Sequence, residues 1–439
     1  MKKLSIIDAA FLMMESRETP MHTGSFNLFT LPKGADEQEF LHGLADGLRT
    51  ADELQSPFGE KLKVGPRGML GPLYWEKDTS LDLDYHIRHS ALPKPGRFRE
   101  SFALVSRLHG TLLDRNRPLW EMHLIEGLPE RQFAVYAKFH HAALDGVGTA
   151  HLLQSMWSTD PDERIHYSPL SMAARDRYVA TLGVDAPAER ELRNVAEALK
   201  ATFDSSANLL GALRKYVGAW TGSGGSLVVP WQNVPRSAIN TKVDGARRFV
   251  AQSWPFARIR AVGKELDGTF NDAVLAMSAG ALRTFLQNHG ELPRESLKSM
   301  VPVSLRRPGD MDSSNAIGAI SADLATNIAD PVKRFRAIKA SMEAGKDTFS
   351  NLSPSEASLF LQLQQLPALL LLPLGLASRF PPYSTVISNV PGPRQTMYWN
   401  GARLEGIYPT SIVSEGIAMN ITLVTYDQQV HFGIMACRR

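Results

Sequence analysis

The residues best suited to chemistry form one short stretch, His140-His141-Ala142-Ala143-Leu144-Asp145-Gly146. The preceding residues 132–139 alternate apolar and other side chains at the strand period of two, and residues 147–157 carry apolar side chains at helical spacing. The histidines are therefore predicted where a buried strand ends and a loop begins, a common place for reactive side chains. Because successive strand residues point to opposite faces, only one histidine faces a given cleft.

The chemistry predicted for this stretch is proton transfer. A neutral imidazole with a pKa near ~6.5 accepts a proton at cellular pH. Either histidine alone could be a buried core residue with its hydrogen bonds satisfied. A pair of histidines followed by Asp145 and Gly146 is harder to explain by packing. The other possible function of the pair is metal binding, which requires both imidazoles to point to the same face of the strand. Adjacent strand residues do not, and no HExxH or cysteine cluster stands nearby, so we predict no metal.

Length, charge and cysteine content exclude several classes of protein. A chain of 439 residues is too long for one ordinary core and predicts two domains. A formal net charge of +3 argues against nucleic-acid binding. The single cysteine, Cys437, excludes a disulfide framework within the chain and fits a reducing cytoplasm. Asp8 interrupts the apolar start that an export signal needs, and the apolar run 366–377 is too short to span a bilayer.

Pattern changes along the chain predict three regions. Residues 1–158 form an N-terminal domain with the histidine stretch, 159–245 a connecting region with one long helix and a flexible glycine- and serine-rich segment, and 246–439 a C-terminal domain. In the first domain, residues 83–87 are predicted as a strand. In the last, Asn271 and Asp272 fall in the first turn of an apolar helix, where short polar side chains cap free N–H groups.

HHAALDG resembles the HHxxxDG motif of the bacterial wax ester synthase/diacylglycerol acyltransferase family, a branch of the coenzyme A-dependent acyltransferases. Further stretches resemble motifs of the same family: Pro20-Met21-His22-Thr23-Gly24, Pro118-Leu119-Trp120, Asn271-Asp272 and the VPVSLR segment that ends at Arg306. Ser388-Asn389 opens a proline-glycine turn of a kind that crosses between domains in this fold. Together these matches extend from the N-terminus to the last strands.

The resemblance implies an α/β (α+β) fold of two similar chloramphenicol-acetyltransferase-like domains. Each has a mixed, mostly antiparallel sheet covered by helices, and a tunnel runs between them. It implies a long-chain acyl-CoA:alcohol O-acyltransferase that makes wax esters, triacylglycerol or both from a fatty alcohol or diacylglycerol. No Gly-x-Ser-x-Gly nucleophile motif precedes a helix, so direct attack of the hydroxyl on the thioester is favoured over an acyl-enzyme. Acyl-CoA is a substrate, and no cofactor is expected.

By position in the motif, His141 is the expected base and His140 supports the loop. Asp145 either orients His141 or pairs with an arginine to hold the loop, and Gly146 lets the backbone turn. Asn271 is the expected oxyanion donor. The expected substrate-binding residues are Asp272, Arg306, Ser388 and Asn389, with Arg306 a candidate for the CoA phosphates and a solvated surface as its alternative.

Two other functions stay open from the sequence. One is a condensation-domain-like ester or amide synthase that uses carrier-protein substrates, and the other is an inactive lipid-inclusion protein with the same fold. The apolar segment 355–376 is a buried helix, a tunnel wall or a surface that dips into lipid. Water-insoluble substrates favour a cytoplasmic protein in peripheral contact with the inner membrane or lipid inclusions. Family members usually continue into a C-terminal helix, so we expect either that the chain is cut at Arg439 or that its tail is missing.

Overall fold

The computed structural model describes residues 1–50, 53–66, 68–144, 152, 155–182, 207–304, 317–350, 352, 356–357, 359–361, 363–364, 367, 376 and 379–438. The strands are β1 (Lys2–Lys3), β2 (His22–Thr30), β3 (Glu60–Val64), β4 (Leu73–Lys77), β5 (Ile87–Ala91), β6 (Trp120–Glu126), β7 (Gln132–His140), β8 (Arg247–Pro255), β9 (Lys298–Ser304), β10 (Ile317–Asp323), β11 (Thr385–Pro391), β12 (Tyr398–Trp399), β13 (Ala402–Thr410), β14 (Met419–Tyr426) and β15 (Gln429–Cys437). The helices are α1 (Ile6–Met14), α2 (Glu37–Arg49), α3 (Leu83–His86), α4 (Phe98–His109), α5 (Met172–Leu182), α6 (Ala207–Trp220), α7 (Phe256–Glu265), α8 (Phe270–Asn288) and α9 (Pro331–Phe349).

Two six-stranded sheets organise the described residues. The first has the order β12-β13-β2-β7-β6-β5 and the second β10-β9-β11-β14-β15-β8, while β1, β4 and β3 form a small third sheet. Most pairings are antiparallel, and the parallel ones are β5–β6, β11–β14 and β11–β9. Helix α2 packs on the first sheet, and α8 and α9 cover the second. The expected mixed, mostly antiparallel sheets covered by helices are confirmed.

The two sheets exchange strands. After β11 in the second sheet, the chain crosses to the first sheet to form β12 and β13, and it then returns as β14 and β15. The sheets touch at Gly433, where a Cβ would lie 1.8 Å from the carbonyl oxygen of Pro409. Only glycine fits such an approach. The domain bounds 1–158, 159–245 and 246–439 stay a prediction, and the strand pairing of 398–410 runs across them.

Local signals explain where several helices begin. Asp36 and Asp330 accept hydrogen bonds from the third residue of α2 and α9, and Pro331 occupies the first turn of α9. The prediction of a strand over residues 83–87 was wrong for all but its last residue. Asp82 accepts a hydrogen bond from the Tyr85 N–H, which starts the short helix α3, and the strand begins only at Ile87.

Three described residues of the apolar segment 355–376 belong to the protein core. Ala357, Leu359 and Phe360 are buried in the same cluster as Leu275 of α8 and Phe335 of α9. These residues therefore do not form a lipid-exposed surface. Part of that segment, and the helix predicted around residues 192–203, lie outside the described residues.

Within the described ranges, no helix is long and apolar enough to cross a membrane. The same ranges contain no group of three or more histidine, cysteine, aspartate or glutamate side chains placed to hold a metal ion.

Candidate active site

The two histidines lie at the end of β7. His140 is its last residue, is fully buried and pairs with His22 of β2 across the antiparallel ladder. Its N–H donates to the carbonyl oxygen of Leu119 at 2.9 Å. His141 begins the following turn, is half-buried and donates its N–H to the Met21 carbonyl oxygen at 2.9 Å. The strand thus holds the backbone of both residues, as expected for a rigid support.

The His140 imidazole contacts its own loop on one side and a carboxylate on the other. Its Nδ1 accepts a hydrogen bond from the Ala142 N–H at 3.0 Å. Because Nδ1 is an acceptor, the neutral ring carries its proton on Nε2. Nε2 lies 3.4 Å from Oε1 of Glu15. These contacts orient His140 and tie it to the first residues of the loop.

Glu15 follows α1 and is a buried carboxylate with several donors. Oε1 accepts from the Met21 N–H at 3.2 Å, and Oε2 accepts from the Arg115 guanidinium at 2.9 and 3.2 Å. Burial favours the protonated form, but the contact with His140 and the bonds from Met21 and Arg115 outweigh it and lower the pKa of Glu15 below its ordinary value of 4.5. Glu15 is therefore a carboxylate at neutral pH.

The His141 imidazole stacks on Phe11 of α1. The ring centroids are 4.1 Å apart, and the ring planes are inclined by 19°. Phe11 and Glu15 are four residues apart, so they lie on the same side of the helix and its C-cap. The end of α1 thus contacts both histidines: the Phe11 ring stacks on His141, and the Glu15 carboxylate lies beside His140. Sequence reasoning missed Phe11, Glu15 and Arg115, although the i, i+4 spacing of the first two was visible.

A buried ion pair lies two residues before His140 on the same face of β7. The Lys138 side chain is 0% exposed, and its Nζ donates to the carbonyl oxygens of Leu108 and Thr111, both at 3.0 Å. Leu108 lies in the last turn of α4, where carbonyl groups lack helical partners, and Thr111 follows the helix. Nζ also lies 3.3 Å from Glu121. Burial opposes ionisation of Glu121, but His123 and Lys138 outweigh it and hold the pKa of Glu121 at about 2.

His22 and His109 are buried beside this ion pair as neutral rings. Burial, reinforced by the Lys138 charge, lowers the pKa of His109 to about 3 and holds the pKa of His22 well below its usual range. His22 donates through Nε2 to the His109 carbonyl oxygen, and the Tyr136 hydroxyl donates to Nδ1 of His109 at 2.8 Å. Neither ring gains a proton near neutral pH, so both act as packed, polar supports of β2 and β7.

Asn271 lies in the first turn of α8, and Asn389 of β11 orients its side chain. Nδ2 of Asn389 donates to Oδ1 of Asn271 at 2.8 Å. With Oδ1 engaged as an acceptor, the N–H bonds on Nδ2 are the groups of Asn271 that remain available to a substrate oxygen. Both side chains are half-buried. The arrangement presents an amide donor held from a second element.

Asp272 caps the same helix. Its Oδ2 accepts from the N–H and the hydroxyl of Thr269, both at 2.7 Å, and the Thr269 hydroxyl accepts from the Asp272 N–H at 3.2 Å. This reciprocal pair is a capping box, and Asp272 is only 2% exposed. The geometry favours the capping role for Asp272 over contact with a substrate.

A chain of contacts links the Asn271 side to the histidine side. Ser388 precedes Asn389 and pairs with Thr422 of β14 in the parallel ladder. The Thr422 and Ser411 hydroxyls are 2.7 Å apart, and Nε2 of His109 donates to the Ser411 carbonyl oxygen at 3.1 Å. His109 in turn contacts His22, the cross-strand neighbour of His140. The strand exchange therefore places elements of the second sheet against the support of the histidines.

Three predicted site residues lie outside the described residues. They are Asp145, Gly146 and Arg306. The structure describes His140, His141, Asn271, Asp272, Ser388 and Asn389, and their roles stay predictions.

Glu15→Gln should destabilise the protein, because the buried carboxylate is replaced by an amide that offers an N–H to Arg115 or His140. Arg115 is 34% exposed, so solvent screens part of the loss, and we expect a melting temperature several degrees lower at pH 7. Because the folded pKa of Glu15 is depressed, its stabilisation is present above pH 4.5 and is lost as the pH falls through the folded pKa. Thermal melts from pH 7 to pH 3 should therefore converge for the two proteins. A constant difference at all pH values would contradict this account.

Asn389→Asp should lower kcat more than Asn389→Ala. The alanine variant only releases the Asn271 amide, and we expect a loss of about tenfold from the misplaced donor. The aspartate variant places a carboxylate against Oδ1 of Asn271, which favours rotation of the amide so that its N–H groups turn away from the substrate. Steady-state kinetics of both variants test this order. Equal kcat values for both variants and the parent protein would show that Asn389 does not position Asn271.

Comparison with protein families matches this chain to two consecutive models. Residues 4–274 match the wax ester synthase/diacylglycerol acyltransferase catalytic domain, and residues 313–439 match the WS/DGAT C-terminal domain. The chain is similar to a probable diacylglycerol O-acyltransferase of Mycobacterium tuberculosis, with 41% identity over 98% of this chain and 93% of the relative. It is also similar to the O-acyltransferase WSD of Acinetobacter baylyi, with 36% identity over 100% of this chain and 93% of the relative.

Solved structures give the same grouping. The wax ester synthase/diacylglycerol acyltransferase from Marinobacter aquaeolei VT8 superimposes with a TM-score of 0.78 at 38% identity, covering 100% of this chain and 94% of the other. The first condensation domain of the CDA synthetase superimposes with a TM-score of 0.57 at 14% identity, covering 99% of this chain and 89% of the other. The second likeness concerns the fold alone.

Proposed function

Because the chain belongs to the wax ester synthase/diacylglycerol acyltransferase family, we propose that it is a long-chain acyl-CoA:alcohol O-acyltransferase that makes wax esters, triacylglycerol or both. The acceptor is a fatty alcohol or diacylglycerol. The observation that carries the proposal is the match to the family's catalytic-domain model over residues 4–274, which include both the His140-His141 strand end and the Asn271 helix start. We also propose the domain division 1–158, 159–245 and 246–439.

In the proposed reaction His141 is the general base. The thioester is already activated, and the thiol that leaves has a pKa of about 8.5. The alcohol is the weaker partner, because its proton must leave as its oxygen attacks the thioester carbon. His141 takes that proton while the C–O bond forms, and it returns the proton to the CoA sulfur as the C–S bond breaks. The stacked Phe11 ring supports this role because it limits the imidazole to one plane.

Asn271 is the proposed oxyanion donor. The tetrahedral intermediate carries a negative oxygen, and one well-placed donor stabilises it by about 3 kcal/mol. The bond from Asn389 supports this assignment, because it engages the oxygen of the Asn271 amide and leaves the nitrogen as the donor.

His140 and its partners are proposed to hold the loop. The bond from the Ala142 N–H to Nδ1 and the nearby Glu15 carboxylate support a positioning role rather than a chemical one. Asp145 would orient His141 or pair with an arginine, and Gly146 would let the backbone turn next to the substrate.

Substrates are proposed to enter a tunnel between the two halves from opposite ends. Ser388 and Asn389 lie on β11, beside the crossing to the first sheet, which supports their contact with substrate. Arg306 is proposed to meet the CoA phosphates, and Asp272, through the capping box, to hold the start of α8 where Asn271 borders the substrate.

We further propose that the protein works in the cytoplasm in peripheral, reversible contact with the inner membrane or lipid inclusions. Long-chain alcohols and diacylglycerol partition into lipid, so an enzyme that uses them gains from contact with a lipid surface.

The decisive experiment is turnover of palmitoyl-CoA with hexadecanol or a diacylglycerol, without any carrier protein. Formation of the ester with release of free CoA is the expected result. Turnover only with carrier-bound acyl groups would favour a condensation-type synthase, and no turnover with either donor would favour an inactive lipid-inclusion protein. Comparing the two acceptors measures the balance between wax ester and triacylglycerol.

A further inference from the structure

Helix α6 presents an apolar ridge to solvent. Leu209 and Ala212 on one side of the helix are buried in the second core. Leu210, Val217 and Trp220 are 64%, 59% and 42% exposed. Their spacing of seven and three residues places them along one face. One side of α6 is thus part of the core, and the other side exposes three large apolar residues. Such an exposed apolar patch is typical of a site that binds a partner or a membrane.

Hydrogen bonds connect the end of α6 to two neighbouring loops. The Gln232 side chain donates to the Trp220 carbonyl oxygen at 3.2 Å, and the N–H of the adjacent Trp231 donates to the Pro382 carbonyl oxygen at 3.1 Å. Phe380, two residues before Pro382, is 54% exposed. Hydrogen bonds thus connect the end of α6 to the loop that carries Phe380, a further exposed apolar side chain.

Cations border the same surface. Arg236, Lys242 and Arg379 line an open groove of about 720 Å³ with one carboxylate, Glu291. Arg379 directly precedes Phe380, so the groove and the apolar surface adjoin.

Two more groups complete the charge pattern. Arg214 is exposed on α6, four residues after Leu210 and three before Val217. Burial raises the pKa of the Glu415 carboxyl, and the Lys242 ammonium nearby opposes that rise. The exposed Lys215 of α6 pairs with Asp347 at 2.7 Å and adds no net charge, so the four cations and two carboxylates named above leave the surface positive.

We infer that Leu210, Val217, Trp220 and Phe380, with Arg214, Arg236, Lys242 and Arg379, form a docking surface for an anionic phospholipid bilayer. Exposed Leu, Val, Phe and Trp side chains enter the boundary between headgroups and acyl chains, and flanking arginines and lysines meet headgroup phosphates. This inference rests on the proposed function, because a membrane is where long-chain substrates reside. It places the membrane contact on α6 and its neighbours, whereas Ala357, Leu359 and Phe360 of the apolar segment 355–376 are core residues.

The docking surface is separate from the candidate active site. Glu291 of the groove follows α8, and Asn271 lies in the first turn of that helix. Nineteen helical residues at 1.5 Å each span about 28 Å. Substitutions in the docking surface therefore leave the groups proposed for chemistry in place.

The test is sedimentation of the full chain with vesicles of phosphatidylcholine alone and of phosphatidylcholine mixed with phosphatidylglycerol. The parent protein should bind the anionic vesicles more tightly. Leu210→Ser/Val217→Ser/Trp220→Ser should weaken binding to anionic vesicles at least ~10-fold. Arg236→Gln/Arg379→Gln should weaken it about 30-fold and remove about half of its dependence on salt, because Arg214 and Lys242 remain. The matched control is Val250→Ser/Trp254→Ser on β8, where the side chains are 44% and 40% exposed and binding should not change.

Several results would overturn the inference. These are no binding by the parent protein, full binding by either variant of the docking surface, or an equal loss in the control. Self-association of the parent protein that the α6 substitutions abolish would also overturn it, because a second copy would then be the occupant. Thermal melting identifies an α6 variant that is misfolded. In that case the Arg236→Gln/Arg379→Gln variant, which does not alter α6, tests the inference. Turnover is measured separately: binding without turnover contradicts only the proposed reaction, and turnover without binding contradicts only the docking surface.

Discussion

His141→Ala should lower kcat for ester formation by at least ~100-fold, the usual contribution of a positioned general base. The melting temperature should barely change, because the imidazole is half-buried and the bond from its N–H to Met21 is made by the backbone. Loss of the stacked contact with Phe11 removes only about 1 kcal/mol. Steady-state kinetics with palmitoyl-CoA and hexadecanol, beside thermal melting, give both quantities.

His140→Ala is the control for this prediction. Its ring is fully buried, accepts the Ala142 N–H and faces Glu15, so its removal should lower the melting temperature and reduce activity only in part. An inactive but fully stable His140→Ala protein, beside an active His141→Ala protein, would reverse the assignment of the base.

Asn271→Ala should lower kcat by roughly 10- to 1,000-fold while the fold stays nearly intact, because it removes the proposed donor to the oxyanion. The helix keeps its start, since Thr269 and Asp272 form the capping box. The effect should fall on kcat, because the donor is needed most when negative charge develops on the thioester oxygen.

Asp272→Ala is the neighbouring control. Loss of the cap should cost about 1 kcal/mol of stability with little change in kcat. If Asn271→Ala lowers the melting temperature and leaves kcat unchanged, Asn271 is a structural residue and the oxyanion donor lies elsewhere. A raised KM in Asp272→Ala at unchanged stability would instead show that Asp272 meets a substrate.

The apolar segment 355–376 is an example of what sequence patterns do not predict. A segment that is apolar on all sides is compatible with a buried helix, a tunnel wall or a lipid surface, because its hydrophobicity does not specify what it packs against. Packing against α8 and α9 makes Leu359 and Phe360 core residues. The exposed apolar residues of α6 are hard to recognise beforehand for the same reason. Leu209 and Leu210 are equivalent in type, and only their placement on the helix buries one and exposes the other.

The sequence by itself determined the features with local causes. Alternation before His140 predicts a strand that ends in a loop, and Asn271 and Asp272 are predicted in the first turn of a helix, where the structure has them. Family motifs further identify the chain as an acyltransferase. Only the tertiary structure decided that Phe11 stacks on His141, that Glu15 meets His140, and that Asn389 orients Asn271 across 118 residues of chain. The physical reason is that such contacts depend on strand order and on the crossing of β12 and β13 between sheets. Local propensity and periodicity predict neither the strand order nor this crossing.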